Sequence, residues 1–300
     1  MNTNRYADFR FRQKFRVSSS YLRRIQMGIA VTLVAFLLGG IFARDIKGYH
    51  FIGNPDRQFQ LPRDLREVSG LAVSEDGRLL AHNDESGTIY IISPQDDFTF
   101  KRFYLGSPVI RGDFEGIAIK QDTLFLVTSS GTLVRFIEGA EEEHVPYQKI
   151  HTGLSSKYNV EGLTYDSESN SLLLACKASI KKGHKMMKVV YAFSLRDYQL
   201  SSEPYLTFQE KKITREADIK HFSPSAIERH PQRGTFFILS AHEPAILEMT
   251  GNGQILNVTK LNKKLHPQPE GLAITSEGII YIANEGGKHF AKLISYLPKN

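Results

Sequence analysis

The pattern of hydrophobic and polar positions changes near residue 48 of this chain. From there to the C terminus, short apolar runs alternate with breaks rich in Gly, Asp, Asn, Ser and Pro. Short apolar runs bounded by turn residues are typical of β-strands. The sequence therefore predicts an all-β domain, with no second domain beside it.

A short motif recurs through this all-β region. The motif has five copies. Four of them contain a Glu followed by a Gly, and the copy that is fourth along the chain is degenerate, with Ser in place of the Glu. The copies begin at Glu67, Glu115, Glu161, Ser225 and Glu270. Each copy starts a unit of up to four apolar runs, with a period near 46 residues. Four strands at this period match the blades of a β-propeller.

We predict a five-bladed β-propeller over residues 56–300, with six blades as the alternative. The last unit lacks a fourth strand, and residues 57–61 can supply it, which would join the two chain ends in one blade and remove exposed sheet edges. One interval between motifs is longer than the others. We assign its excess to a polar, helical insertion at 209–222.

The N-terminal region predicts a membrane anchor. Residues 27–43 are uncharged and apolar, and with Ile25 and Gln26 they reach the length of a spanning helix. Arg and Lys are denser in the basic tail, residues 1–24, than in the linker, residues 44–55. The more basic flank stays cytoplasmic, so the propeller is expected in the periplasm, anchored in the inner membrane by residues 25–43. The alternative is a signal peptide cleaved after Ala43.

The charge distribution argues against a nucleic-acid partner. The formal net charge is +6, but residues 1–47 hold nine basic and two acidic residues. The remainder has 38 − 9 = 29 basic and 32 − 2 = 30 acidic residues, a net charge of −1. Cys176 is the single cysteine, so neither an intrachain disulfide nor a cysteine-based zinc site can form, and its apolar run predicts burial.

The repeated glutamates are the main candidates for a functional site. The first strand of each propeller blade lines the central channel, so equivalent positions converge on the axis. Carboxylates held close raise each other's pKa unless a partner compensates them. Oxygen ligands favour Ca²⁺, for which the candidate ligands are Glu67, Glu115, Glu161 and Glu270, with Ser225 at the fourth position. There are three alternatives to a bound metal ion. The glutamates could bind a cationic or polyhydroxyl ligand, they could be bridged by ordered water, or each could accept hydrogen bonds from backbone N–H groups.

Polar residues also follow the second strand of each blade. Among them, Asp84, Glu85 and His242 are weak candidates for a catalytic base, because antiparallel strands return these ends to the same mouth. Ordinary turn chemistry is the alternative explanation. The sequence contains no nucleophile elbow, zinc-protease helix or phosphate-binding loop.

The motifs together resemble a known family. The segments that carry the resemblance are Glu67–Leu71, Phe114–Ile117, Asn159–Asp166, Ser223–Ile227 and Pro269–Ile274. Their order and spacing resemble the SdiA-regulated, YjiK-like proteins of Gram-negative bacteria over about residues 60–300. The resemblance implies a five-bladed propeller and a calcium site in the channel, but it does not supply a biochemical function.

Two functions from different classes fit these features. The first is a membrane-anchored module that binds or senses a periplasmic ligand or protein, since no catalytic motif is visible. The second is a Ca²⁺-dependent hydrolase of esterase, lactonase or phytase type, which would use the glutamates as metal ligands. A structural role in the envelope is the remaining alternative, because propellers carry many unrelated functions.

Overall fold

The computed structural model describes residues 45–299 and builds them into five β-sheets. No helix among these residues is long and apolar enough to cross a membrane. The basic tail and the predicted anchor at 25–43 lie outside the described residues, so their predictions stand as made.

The five sheets follow one another along the chain as propeller blades. Blade 5 takes its outer strand from the N-terminal side, β1 (Arg57–Gln60). Blade 1 holds β2 (Val68–Val73), β3 (Leu79–Asn83), β4 (Thr88–Ser93) and β5 (Thr99–Leu105). Blade 2 holds β6 (Phe114–Lys120), β7 (Thr123–Thr128), β8 (Thr132–Ile137) and β10 (Gln148–His151), while β9 (His144–Val145) pairs in parallel with β5.

The remaining blades have the same order. Blade 3 holds β11 (Val160–Asp166), β12 (Ser171–Lys182), β13 (Lys185–Ser194) and β14 (Leu206–Phe208). Blade 4 holds β15 (Pro224–Arg229), β16 (Phe236–Ser240), β17 (Ala245–Met249) and β18 (Ile255–Lys260). Blade 5 is completed by β19 (Pro269–Ile274), β20 (Ile280–Asn284) and β21 (Lys292–Tyr296). A 3-10 helix spans Arg63–Leu65, and helix α1 spans Glu210–Ala217.

The two ends of the described chain meet in blade 5. β1 pairs antiparallel with β21, from Arg57 opposite Ser295 to Gln60 opposite Lys292. The prediction of five blades closed by the segment before the first motif is therefore confirmed, and the six-bladed alternative is wrong.

The insertion before blade 4 forms α1, as its polar composition predicted. The helix turns Ile213 and Ala217 into the core between blades 3 and 4, where they pack with Phe208 and Phe222. The excess length between the third and fourth motifs thus fills the space between β13 of blade 3 and β18 of blade 4.

The five inner strands, β2, β6, β11, β15 and β19, lie next to one another around the axis. They all begin at the same face, which we call the upper face. The opposite face, where these strands end, is the lower face.

The segment that was expected to be a linker packs onto the propeller. Ile46, Tyr49 and Phe51 are at most 2% exposed and join the core of blades 4 and 5. The Tyr49 hydroxyl donates to the Gly278 carbonyl at 2.6 Å and lies 2.8 Å from His230 Nε2. Gly278 and His230 belong to the turns that follow inner strands, so residues 45–52 dock on the lower face.

We predict that this docked segment contributes to the stability of the propeller. Phe51 is fully buried and its ring lies 4.8 Å from that of Tyr296. Phe51→Ala should lower the free energy of unfolding by about 3–5 kcal/mol, because it leaves a cavity. The neighbouring substitution Ile52→Ala, at a side chain that is 44% exposed, should cost about 0.5 kcal/mol. Urea unfolding measures both, and equal losses would contradict the packing described.

Candidate functional site at the channel mouth

Each inner strand carries a β-bulge at the same position. The pairing register shifts by one residue within Val68–Gly70, Phe114–Gly116, Val160–Gly162, Pro224–Ala226 and Pro269–Gly271. The extra residues are Ser69, Glu115, Glu161, Ser225 and Glu270. A bulge changes the direction of a side chain and ends regular pairing. These five residues form what we call the axial ring, at the upper face.

The residue after each ring position, which is glycine in four blades and Ala226 in blade 4, lies where neighbouring inner strands come close together. A Cβ atom on Gly116 would lie 2.8 Å from Leu163 N, and one on Gly162 would lie 2.9 Å from Ile227 N. Both positions therefore require a residue without a side chain. The cavity left between the strands has a volume of about 10 Å³, which is about what a single water requires.

The structure places Ser69, and not Glu67, in the axial ring. Ser69 Oγ donates a hydrogen bond to Glu115 Oε2 at 3.2 Å. Glu67 lies two residues earlier, where its side chain is 44% exposed and pairs with Arg66 at 3.1 Å. The first motif has its Glu three residues before the Gly, whereas the others have it one residue before. Alignment on the glycine gives the correct register, with three glutamates and two serines.

Lys177 supplies a positive charge to the ring. Its Nζ lies 3.1 Å from Glu161 Oε1, which also accepts a hydrogen bond from Asn159 Nδ2 at 2.7 Å. Burial acts to lower the pKa of Lys177, but the charges of Glu161, Glu270 and Glu115 outweigh it and raise that pKa. Lys177 lies in β12, just beyond the point where this strand pairs with the inner strand.

One ammonium group does not compensate three carboxylates. Burial, and then the charges of Glu161 and Asp113, raise the pKa of Glu115 to about 8. Burial, and then the charges of Glu285 and Glu161, raise the pKa of Glu270 to about 8. Burial also raises the pKa of Glu161, although Lys177 opposes this. The axial ring therefore holds more negative charge than its surroundings stabilise.

A second group of acidic side chains surrounds the ring. This acidic rim consists of Glu67, Asp84, Glu85, Asp113 and Glu285. Burial, and then the charge of Glu67, raise the pKa of Asp84, and its Oδ1 atom is buried with no hydrogen-bond partner in the described structure. Burial, and then the charge of Asp84, raise the pKa of Glu285 to about 7. Ring and rim together form the acidic mouth.

The structure separates the three weak catalytic candidates. Asp84 belongs to the inner part of the rim, as described above. Glu85 is exposed and lies 3.6 Å from Arg111. His242 is exposed in the turn between β16 and β17, and the adjacent Glu243 accepts a hydrogen bond from the backbone N of His221 at 2.7 Å.

Sequence reasoning missed Ser69 and Asp113, although a positional signal for both was present. Asp113 precedes its ring residue by two positions, as Glu67 precedes Ser69. With the motifs aligned on glycine, Glu67 and Asp113 are equivalent rim residues of blades 1 and 2. Lys177 lies in β12 just after its last residue paired with the inner strand, and Glu285 directly follows β20, so both occupy the class of positions that also contains Asp84.

The donor chemistry of the mouth fits a hard cation. The side chains of the axial ring offer only carboxylate and hydroxyl oxygens, which Ca²⁺ prefers. The buried Asp84 Oδ1 atom without a partner is a further oxygen at this face. Within residues 45–299, however, no three His, Cys, Asp or Glu side chains are already arranged to hold a metal ion. Occupation by a cation would require the side chains to rotate toward it.

We predict that the charge of Glu115 destabilises the fold as pH rises. Its folded pKa is raised from 4.5 to about 8, so the folded state binds more protons, and stability falls between about pH 4.5 and about pH 8. Glu115→Gln should reduce this loss by about 1–3 kcal/mol. Urea unfolding across this pH range, with chelator present, measures the effect.

The matched control for this experiment is Glu141→Gln, at an exposed position of the loop after β8. It should leave the pH dependence of unfolding unchanged. An identical pH dependence in the wild type and Glu115→Gln would show that Glu115 carries no unfavourable charge in the folded protein.

The sequence and the fold of this chain can be compared with those of known proteins. No curated protein matches the sequence. Among solved structures, Myxococcus xanthus glutaminyl cyclase matches with a TM-score of 0.54 and 15% identity, covering 81% of this chain and 94% of that one. An aldose sugar dehydrogenase from Streptomyces coelicolor matches with a TM-score of 0.48 and 12% identity, covering 81% of this chain and 99% of that one. A virginiamycin B lyase from Staphylococcus aureus matches with a TM-score of 0.42 and 12% identity, covering 75% of this chain and 66% of that one.

At these identities the structural matches show similarity of fold alone. The sequence itself is more informative, because the model of the SdiA-regulated family matches residues 109–292. This range includes four of the five ring positions, Glu115, Glu161, Ser225 and Glu270. Since the match covers more than half of the 300 residues, the chain belongs to the SdiA-regulated family.

Proposed function

We propose that this protein is a binding or sensing module, anchored in the inner membrane by residues 25–43 with its propeller in the periplasm. Its acidic mouth binds a cation, for which Ca²⁺ is the best candidate. The observation that carries this proposal is the convergence of three partly compensated carboxylates, Glu115, Glu161 and Glu270, at one end of the propeller axis.

A bound cation would relieve the electrostatic cost of the ring. The raised pKa values of Glu115 and Glu270 mean that their ionised forms are unfavourable without a further positive charge. Groups with strongly shifted pKa values are concentrated at ligand-binding and catalytic sites. Lys177 lowers the cost at Glu161 and leaves the rest for the ligand.

The oxygen donors of the site favour Ca²⁺. The three ring glutamates, with the hydroxyls of Ser69 and Ser225 beside them, offer the hard ligands that this ion takes in flexible geometry. Bound there, Ca²⁺ would supply a compact positive charge that orders the ring and can also polarise an oxygen of an approaching ligand.

The narrow axis favours binding at the mouth over transport through the propeller. A cavity of about 10 Å³ between the inner strands admits no organic molecule. Ligands or protein partners would therefore engage the upper face, where the acidic mouth opens. With a net charge of −1 over residues 48–300, this domain is not suited to bind nucleic acid.

A Ca²⁺-dependent hydrolase is the second candidate, and one observation favours it. Asp84 is a partly buried carboxyl whose pKa is raised by burial and by the charge of Glu67, which is the direction of shift that a carboxyl acting as a general acid or base requires. Glu85 and His242 are the weaker alternatives, because both are exposed. Turnover of an ester, lactone or phosphate ester that requires Ca²⁺ and is lost in Asp84→Asn would favour this function.

Thermal melting of the full chain in detergent tests the cation proposal. After chelation, added Ca²⁺ should raise the melting temperature. Free Ca²⁺ at about 100 times its dissociation constant adds about 2.7 kcal/mol. For a domain of this size, that is roughly 5–10 °C. The double variant Glu115→Gln, Glu161→Gln should lose this shift while it stays folded.

Two control variants sharpen the result. Glu67→Gln alters the rim and leaves the axial ring intact, so most of the shift should remain. Glu141→Gln, far from the mouth, should behave as the wild type. A wild-type melting temperature that millimolar Ca²⁺ does not change would exclude a Ca²⁺ site in this protein and direct attention to organic cations or protein partners.

A further inference from the structure

We infer that the lower face beneath blades 4 and 5 contacts an anionic phospholipid surface and fixes the orientation of the propeller. This inference rests on the membrane anchor of the proposed function. It concerns the surface at which the described chain begins, which we call the basal patch. The patch consists of residues 45–52 with Arg233, Leu256, Leu297 and Lys299.

Residues 45–52 are held tightly against the lower face. Beyond the burial of Ile46, Tyr49 and Phe51, the backbone of the segment is bonded at several points. Asn257 Nδ2 donates to the Asp45 carbonyl at 2.9 Å, and Arg233 Nη2 donates to the Lys47 carbonyl at 2.7 Å. Lys299 N donates to the Gly48 carbonyl at 2.8 Å. The chain therefore leaves the propeller at one fixed point.

The length of chain between this point and the predicted span is very short. The apolar run ends at Ala43, and Ile46 is already fully buried in the propeller core. Three residues span at most about 11 Å. The headgroup region of a bilayer extends about 5–8 Å beyond the hydrocarbon on each side. An anchor that ends at Ala43 thus brings the basal patch to the level of the headgroups.

The patch exposes apolar side chains where such a contact requires them. Ile52, Leu256 and Leu297 are each 44% exposed. All three are tied to the docked segment. Ile52 belongs to it, Leu256 precedes Asn257, which bonds to Asp45, and Leu297 follows Tyr296, whose ring contacts Phe51. Apolar side chains of this kind enter the interface between headgroups and acyl chains.

The charges of the patch complement anionic lipid. Lys47 and Lys299 are exposed around the apolar side chains, whereas His50 lies 3.4 Å from Asp45, the one acidic residue of the patch. Neither Lys47 nor Lys299 forms an ion pair within residues 45–299, whereas Arg233 is paired with Glu248 at 3.3 Å. Basic side chains near a membrane surface are attracted to anionic headgroups. The acidic mouth lies on the opposite face, so this orientation also keeps its negative charge away from the lipid.

Fluorescence quenching in proteoliposomes tests the contact with the full chain. Single cysteines replace Ile52 or Leu256 in the patch, and Met186 or Phe290 on the upper face as matched controls that are 58% and 47% exposed. Each is labelled with an environment-sensitive dye. Native Cys176 is buried, so unsubstituted protein serves as the labelling blank. The vesicles contain phosphatidylethanolamine, phosphatidylglycerol and a lipid with a nitroxide-bearing headgroup.

Quenching at the two patch positions and little at the two upper positions is the expected result. Lys47→Glu combined with Lys299→Glu should reduce the quenching when phosphatidylglycerol is present, and less when a zwitterionic lipid replaces it. Equal quenching at all four positions in protein that remains in the vesicles after an alkaline wash would overturn the inference alone.

Two other outcomes are distinguishable from this one. Removal of the wild-type chain from the vesicles by the alkaline wash would overturn the proposed membrane anchor together with this inference. A patch signal that depends on protein density and is independent of the nitroxide lipid would show that a second copy of the chain covers the patch, which also overturns the lipid contact.

Discussion

The close approach of five inner strands around one axis is the constraint on which the rest of this structure depends. Neighbouring backbones come so near that a single Cβ atom at Gly116 or Gly162 would collide with the next blade. Five sheets packed this tightly leave no channel of useful width, and the ends of their inner strands converge on a small area. The bulge in each inner strand then places the side chain of one axial-ring residue at that area. The fold and the site therefore both depend on the same pair of positions in each inner strand, a polar ring residue followed by a small residue.

The convergence creates an electrostatic problem that the molecule solves in part. Two of the five ring positions are serines, and Ser69 donates a hydrogen bond to Glu115. Lys177 compensates Glu161 from the neighbouring strand. What remains is a localised excess of negative charge on one face, while basic and apolar side chains occupy part of the opposite face. This polarity along the axis is the basis of both functional proposals, since it distinguishes a ligand-binding end from an end that suits the membrane.

Much of this architecture could be predicted from the sequence, because each blade repeats the same local pattern. The number of blades, the closing strand and the helical insertion follow from motif spacing and apolar runs. The membership of the ring was predicted only in part, because the first motif has both Glu67 and Ser69 before its glycine. The shared glutamate suggests Glu67, whereas the distance to the glycine selects Ser69, in agreement with the strand register. The role of Lys177 depends on a contact between adjacent strands that no local pattern encodes. Residues 44–55 resemble a linker by length alone, and the burial of Ile46, Tyr49 and Phe51 depends on grooves that distant blades create.

The closing strand also imposes an order in time on the making of this protein. Arg57 pairs with Ser295, a separation of 295 − 57 = 238 residues, so β1 must wait for β21, which is synthesised much later. Until then β1 has no partner strand, and its unpaired edge can associate with other chains. Contacts so distant in sequence form slowly. Ribosomes and any export machinery therefore handle a chain whose propeller cannot be completed before β21 has been synthesised.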